Sequence, residues 1–109
     1  MKMIIAIVQD EDSGRLVNNL MTEGYRVTKL ATTGGFLRAG NSTLLIGVDE
    51  EKFDGAMAII EKICKSRKQI ATAPSPISGS TSVYVPYPIE VMVGGATIFV
   101  LDVDKFIKI

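Results

Sequence analysis

Two stretches of this chain, MIIAIV at 3–8 and ATIFVLDV at 96–103, are apolar on both faces of an extended strand. A strand of that kind is covered from above and below. Between them lie only two segments with helical periodicity, and two helices can cover only one face of a sheet. The other face needs a cover that the chain does not supply. Closed cyclic self-association through the sheet is the economical answer, and it would create clefts between subunits.

The remaining elements follow from local chemistry. The opening MKMIIAIVQ, continuous and rich in β-branched residues, reads as a central strand. Asp10 offers a helix N-cap with Glu11 and Asp12 in the first turn, Leu16, Val17, Leu20 and Met21 recur at helical spacing, and Gly24 supplies the stop. From Tyr25 the residues alternate, with Tyr25, Val27, Lys29 and Ala31 on one face and Arg26, Thr28 and Leu30 on the other. Thr43, Leu44, Leu45, Ile46 and Val48 read as the next strand, interrupted by Gly47.

Asp49 then caps a second helix beginning at Glu50, with a broad stripe from Phe53 to Cys64 that packs on a core. Lys65, Arg67 and Lys68 gather at its C-terminal end, where they read as a solvated cap. Residues 69–88 carry Pro74, Pro76, Pro86, Pro88 and Gly79 and read as a long loop with no regular element. Residues 90–93 and 96–103 read as a hairpin around Gly94 and Gly95, and the tail DKFIKI extends the last strand or lies across a neighbour. The order β-α-β-β-α-β, with a further or split strand at the end, predicts an α+β, ferredoxin-like fold. Its sheet is antiparallel with both helices on one face. The 109 residues form a single domain on this reading.

The stretch 25–48, YRVTKLATTGGFLRAGNSTLLIGV, places a glycine-rich loop between two strands. Adjacent glycines let successive amides converge on a phosphate, Phe36 and Leu37 offer a stacking or apolar wall, and Arg26 or Arg38 a fork of donors. Together they suit an anionic ligand carrying a flat apolar ring. A plain hairpin whose Phe36 packs back on its own sheet fits the residues equally well, since neither GxxxxGK[ST] nor GxGxxG is present.

Composition narrows the classes. Twelve basic and twelve acidic residues leave no net charge, so no general attraction to nucleic acid or an anionic membrane is expected. The absence of histidine removes the commonest metal ligand and general base, and a lone cysteine, Cys64, excludes an internal disulfide. Cys64 lies on the apolar stripe of its helix and reads as a buried, inert thiol. The N-terminal apolar run is far shorter than the roughly 20 residues of a membrane span and lacks a cleavage site, so the chain is expected to be cytoplasmic.

KLATTGGFLRAGN, MKMIIAIVQD and VGGATIFVLDVD together resemble the PII-like cyclic-di-AMP receptor family, of the PstA type, along nearly the whole chain. The resemblance implies a homotrimer of ferredoxin-like subunits with one cyclic dinucleotide in each cleft between neighbours. It also implies signalling to a protein partner rather than catalysis, with no cofactor beyond that ligand. Residue by residue, it puts Arg26 and Thr28 at the phosphates, Gly35, Phe36 and Leu37 over an adenine, Asn41 at the base or loop, and Gly47 at a close backbone approach. Gly94 and Phe99 are further candidates. Gly24 and Lys108 depart from the family, standing where members carry a carboxamide.

Other classes fit less well. A true PII sensor of ATP and 2-oxoglutarate would show adenine mononucleotide binding. An acylphosphatase would need a GxVxGVxFR-like loop after the first strand, where QDEDSGR stands. An RNA-binding module would need aromatic platforms on its strands. The expectation for mechanism is that ligand orders residues 32–40, and with them residues 69–88, for a protein partner to read.

Overall fold

The structure, a computed structural model, describes residues 1–30, 40–76 and 84–109, with the backbone alone at 72–76 and 84–87. In chain order the elements are β1 (Lys2–Gln9), α1 (Asp10–Thr22), β2 (Arg26–Lys29), β3 (Asn41–Val48), α2 (Glu50–Cys64), β4 (Arg67–Pro76), β5 (Tyr84–Val93) and β6 (Ala96–Asp102). Four strands form an antiparallel sheet in the order β2-β3-β1-β6, while β4 and β5 pair only with each other. The four-stranded sheet and its two helices are the expected ferredoxin-like frame, with the β4–β5 pair inserted before the last strand.

Period-two alternation decides which face meets the helices. On β1, Ile4, Ala6 and Val8 are buried, and opposite them on β3 Leu44, Ile46 and Ser42 are buried too. Leu16 and Leu20 of α1 and Ala56, Ile60 and Cys64 of α2 close that core. The opposite face carries Met3, Ile5 and Ile7, only half buried, and on β6 Phe99 and Leu101, which keep 53% and 51% of their surface exposed. No described helix packs on that face.

Helix ends follow the backbone more than the side chains. After α1, Gly24 takes φ +88°, the Tyr25 N–H donates to the Leu20 carbonyl at 2.9 Å and the Gly24 N–H to that of Met21 at 3.0 Å. That is a Schellman stop, which a left-handed glycine permits. Asp10 turns out to be the first helical residue and not the cap. Gln9 holds the cap position without a side-chain cap bond, its Oε1 accepting the Gly94 N–H instead, and the Asp10 carboxylate is engaged by Gly40 and Ser42.

Three further expectations are corrected. Residues 69–88 are not one irregular loop: Arg67–Pro76 and Tyr84–Val93 form a ladder running from Arg67 opposite Val93 to Pro76 opposite Tyr84. All four prolines fall at even positions of this register, in one class of opposed pair. In a two-stranded ladder that class can point its N–H outward, so a missing donor costs no ladder bond. Secondly, the strands flanking Gly94 and Gly95 do not pair with each other. Both glycines take positive φ (+82° and +91°) and turn the chain from the β4–β5 ladder into the main sheet. Thirdly, Arg67 is no solvated cap, since its guanidinium pairs with the buried Asp12.

Candidate functional site

On the face turned away from the helices the register lines up two cross-strand rows. Arg26, Gly47, Met3 and Leu101 form one, and Thr28, Leu45, Ile5 and Phe99 the next. Val27, between Arg26 and Thr28, packs toward the core and so fixes both polar side chains on the open face. Arg26 and Gly47 are directly opposed. Without a side chain Gly47 leaves space above its strand, and among the described residues nothing lies within 4 Å of where its Cβ would stand.

At this end of the sheet is a cleft of about 430 Å³ whose walls include Gly24, Arg26, Gly47, Lys52, Phe106 and Lys108. Three strands of logic build it. The Schellman stop brings Gly24 beside Arg26. The Tyr25 hydroxyl donates to the Lys52 carbonyl at 3.0 Å, pinning the first turn of α2 to the start of β2. The Val103 N–H donates to the Met1 carbonyl at 3.1 Å and starts the tail across the β1 end, which carries Phe106 and Lys108 to the wall. Three cationic side chains thus line one cleft in a chain of zero net charge, with Asp49 as the acidic counterweight. Such a cleft favours an anion that also presents apolar surface.

The other expected residues are distributed over the sheet. Phe99 shares the row of Thr28 but stands at the opposite edge, about 14 Å away across three strand spacings. Asn41, exposed, is opposite Gln9, six residues along β1 from Met3 and hence about 20 Å from the Arg26 row. Gly94 lies near that same far end, where its N–H donates to Gln9 Oε1 at 2.8 Å. Its positive φ supplies a structural reason for glycine there. Gly35, Phe36 and Leu37 lie outside the described residues.

The structure therefore unites Arg26 with Gly47, keeps Thr28 beside them, and separates Phe99, Asn41 and Gly94 within one subunit. Sequence reasoning missed Lys52 and Phe106. Lys52 looked like any polar helix position, and the tail has no periodicity to place it. Gly24 and Lys108, singled out only as departures, line the same cleft as Arg26.

Outside the cleft, Cys64 and Arg67 are shifted by their surroundings. Burial, with the nearby Asp12 charge adding to it, pushes the Cys64 thiol up to about 11, so it stays protonated near neutrality. Hydrogen bonding to Asp12 raises the Arg67 guanidinium above its ordinary value. Among the described residues, no group of three or more His, Cys, Asp or Glu could hold a metal ion. No described helix is long and apolar enough to cross a membrane.

A model of the family described as cyclic-di-AMP receptor matches residues 1–109. The chain belongs to the cyclic-di-AMP receptor family. A crystal structure of a functionally unknown protein from Pediococcus pentosaceus ATCC 25745 is similar to it, at 42% identity over 99% of this chain and 96% of that one, with a TM-score of 0.76. Membership in the cyclic-di-AMP receptor family agrees with the cleft chemistry, an apolar and cationic surface suited to a nucleotide phosphate. It gives no reason to expect catalytic machinery.

Proposed function

We propose that this protein is a cytoplasmic cyclic-di-AMP receptor that binds the dinucleotide in clefts between the subunits of a homotrimer and signals the bound state to a protein partner. The observation that carries the reading is the cleft itself, where Arg26 faces Gly47 with Lys52, Lys108 and Phe106 around them. Arg26 would present a bidentate fork to one phosphate with Thr28 as a second donor, while the lysines act as point charges. Phe106 offers a ring for base stacking.

The clefts between subunits are supported by the position of Phe99. A ring at the far edge of the sheet reaches a ligand held at Arg26 most directly from a neighbouring copy, and the uncovered apolar face gives the copies a reason to meet. Asn41 serves the same ligand from the far end of β3, and the segment containing Gly35, Phe36 and Leu37 lies between it and Thr28 in the chain. Gly94 and Phe99 complete the proposed set. In place of a carboxamide, Lys108 adds a phosphate contact and Gly24 leaves room.

The test is calorimetric titration with cyclic-di-AMP, ATP and cyclic-di-GMP on the wild type and on Arg26→Ala and Phe36→Ala. Cyclic-di-AMP alone should bind, near one per subunit, and loss of the charged fork at Arg26 should weaken it roughly tenfold or more. Binding of ATP in preference, enhanced by 2-oxoglutarate, would replace this reading by the true PII type. Silence from all three ligands would refute it.

A further inference from the structure

The four residues joining β1 to α1 hold together parts of the chain that are far apart in sequence. The Asp10 carboxylate accepts the Gly40 N–H through Oδ2 at 3.1 Å and the Ser42 hydroxyl through Oδ1, while the Asp10 N–H donates to the Gly40 carbonyl at 2.9 Å. These bonds bracket Asn41. Two residues on, Asp12 is 1% exposed, and its carboxylate accepts both Arg67 Nη2 at 2.9 Å and Nη1 at 3.4 Å. Gln9, on the other side, accepts the Gly94 N–H.

Arg67 opens β4 and Gly94 follows the end of β5, so these are the two feet of the β4–β5 arm. A helix start needs none of this. Exposed acids would satisfy the helix dipole, whereas a buried carboxylate is costly unless paired. Here the buried carboxylate pairs with Arg15 of its own helix at 3.5 Å and, more closely, with Arg67 at the root of the arm, while the exposed Asp10 carboxylate pairs with the Gly40 N–H and the Ser42 hydroxyl on either side of Asn41. Among the described residues, the strands of the arm pack chiefly on each other.

We propose that residues 9–12 are a coupling turn. Asp10 is a positioning residue for Asn41, and Asp12 with Gln9 ties the feet of the arm to the same turn, so a ligand touching Asn41 stabilises the arm's root. The ligand half rests on the function proposed above, and the mechanical half does not. Coupling between two sites is reciprocal, so loosening the arm's root must loosen the Gly40–Ser42 backbone, and the converse.

Amide hydrogen exchange on the intact protein tests both halves. Without ligand, Arg67→Gln should speed exchange at residues 40–43, and Asp10→Ala should speed it at residues 67–70 and 90–94, while the middle of α2 keeps its wild-type rate and so reports unchanged global stability. With cyclic-di-AMP, exchange at the feet of the wild-type arm should slow, by roughly fivefold or more if the coupling is of ordinary size. In Asp10→Ala that response should vanish even though Asp12 and Arg67 are intact, which a merely structural anchor would not cause.

Effects confined to the mutated foot would overturn the proposal, as would a wild type that binds cyclic-di-AMP with no change at the arm. If the cross-effects appear without ligand but cyclic-di-AMP does not bind, the coupling turn stands and the receptor function falls.

Discussion

At Gly94 the backbone takes φ +82°, and a Cβ placed there would meet Arg67 Nη1 at 2.6 Å and the Lys65 carbonyl oxygen at 2.8 Å. Its neighbour Gly95 has φ +91° but open space around the missing Cβ. The two therefore separate backbone strain from crowding. Gly95→Ala should cost about 1–2 kcal/mol for the left-handed conformation alone, and Gly94→Ala distinctly more, because a carbonyl cannot move aside as a long side chain can. Urea midpoints of the two variants check this, and equal costs would show that the turn relaxes around Gly94. The same residue marks where sequence ran out. A glycine pair near a strand signals positive φ but not what the freedom serves. The shared face of Arg26 and Thr28 was legible because period two sets them opposite Val27, whereas Phe106 was not, and Lys108 stood out only through the family resemblance, since the place of both depends on a tail crossing a distant strand end. The buried, protonated Cys64 was legible from its helical stripe.

Among the elements, the helices and β2 were legible because burial on one face imposes a period on the sequence, and β1, β3 and β6 because their apolar runs are long and rich in β-branched residues. The β4–β5 ladder was not. Among the described residues none of its side chains belongs to the buried core, so no burial period marks its sequence there, and its prolines read as breakers until the register puts them all in one class of pair. At the β1–β6 seam the register sets Lys2 opposite Asp102, and the two side chains form a hydrogen-bonded ion pair. Bonding to Lys2 holds the Asp102 carboxyl below its ordinary 3.8, and bonding to Asp102 holds the Lys2 ammonium above its ordinary 10.5. A lowered carboxyl contributes stability above the unfolded value that is lost as pH falls through the folded one. A raised ammonium contributes stability below the unfolded value that is lost as pH rises through the folded one. The seam is therefore strongest across the neutral range. Asp102→Asn should melt slightly lower than wild type near pH 7, with the gap closing as pH falls below the ordinary 3.8 of the carboxyl and in molar salt, as befits an exposed pair. A gap that survives acid and salt would point to packing at Asp102 instead of charge.

For the whole molecule, the strands that are apolar on both faces told correctly that two helices would leave one side of the sheet bare. They could not tell what covers it, nor how many copies a proposed ring would hold, because ring closure depends on the angle between subunits and not on the composition of either. Ile5 stands in the middle of that face, half buried between Leu45 and Phe99, and has no part in the proposed ligand contacts. A carboxylate there remains hydrated in a lone subunit but is trapped without a partner once another sheet lies over it. Ile5→Glu should accordingly keep the wild-type circular dichroism yet sediment as a single chain, where the proposed ring requires the wild type to sediment as a trimer. If the cleft is completed by a neighbour, the same variant loses cyclic-di-AMP affinity with Arg26, Thr28 and Lys108 all in place. Retained affinity in a monomeric Ile5→Glu protein would mean that one subunit holds the ligand alone, and Phe99 would then have no role in the site. A wild type that sediments as a single chain at the concentrations of the titration would remove the ring, and the bare face would need a different partner.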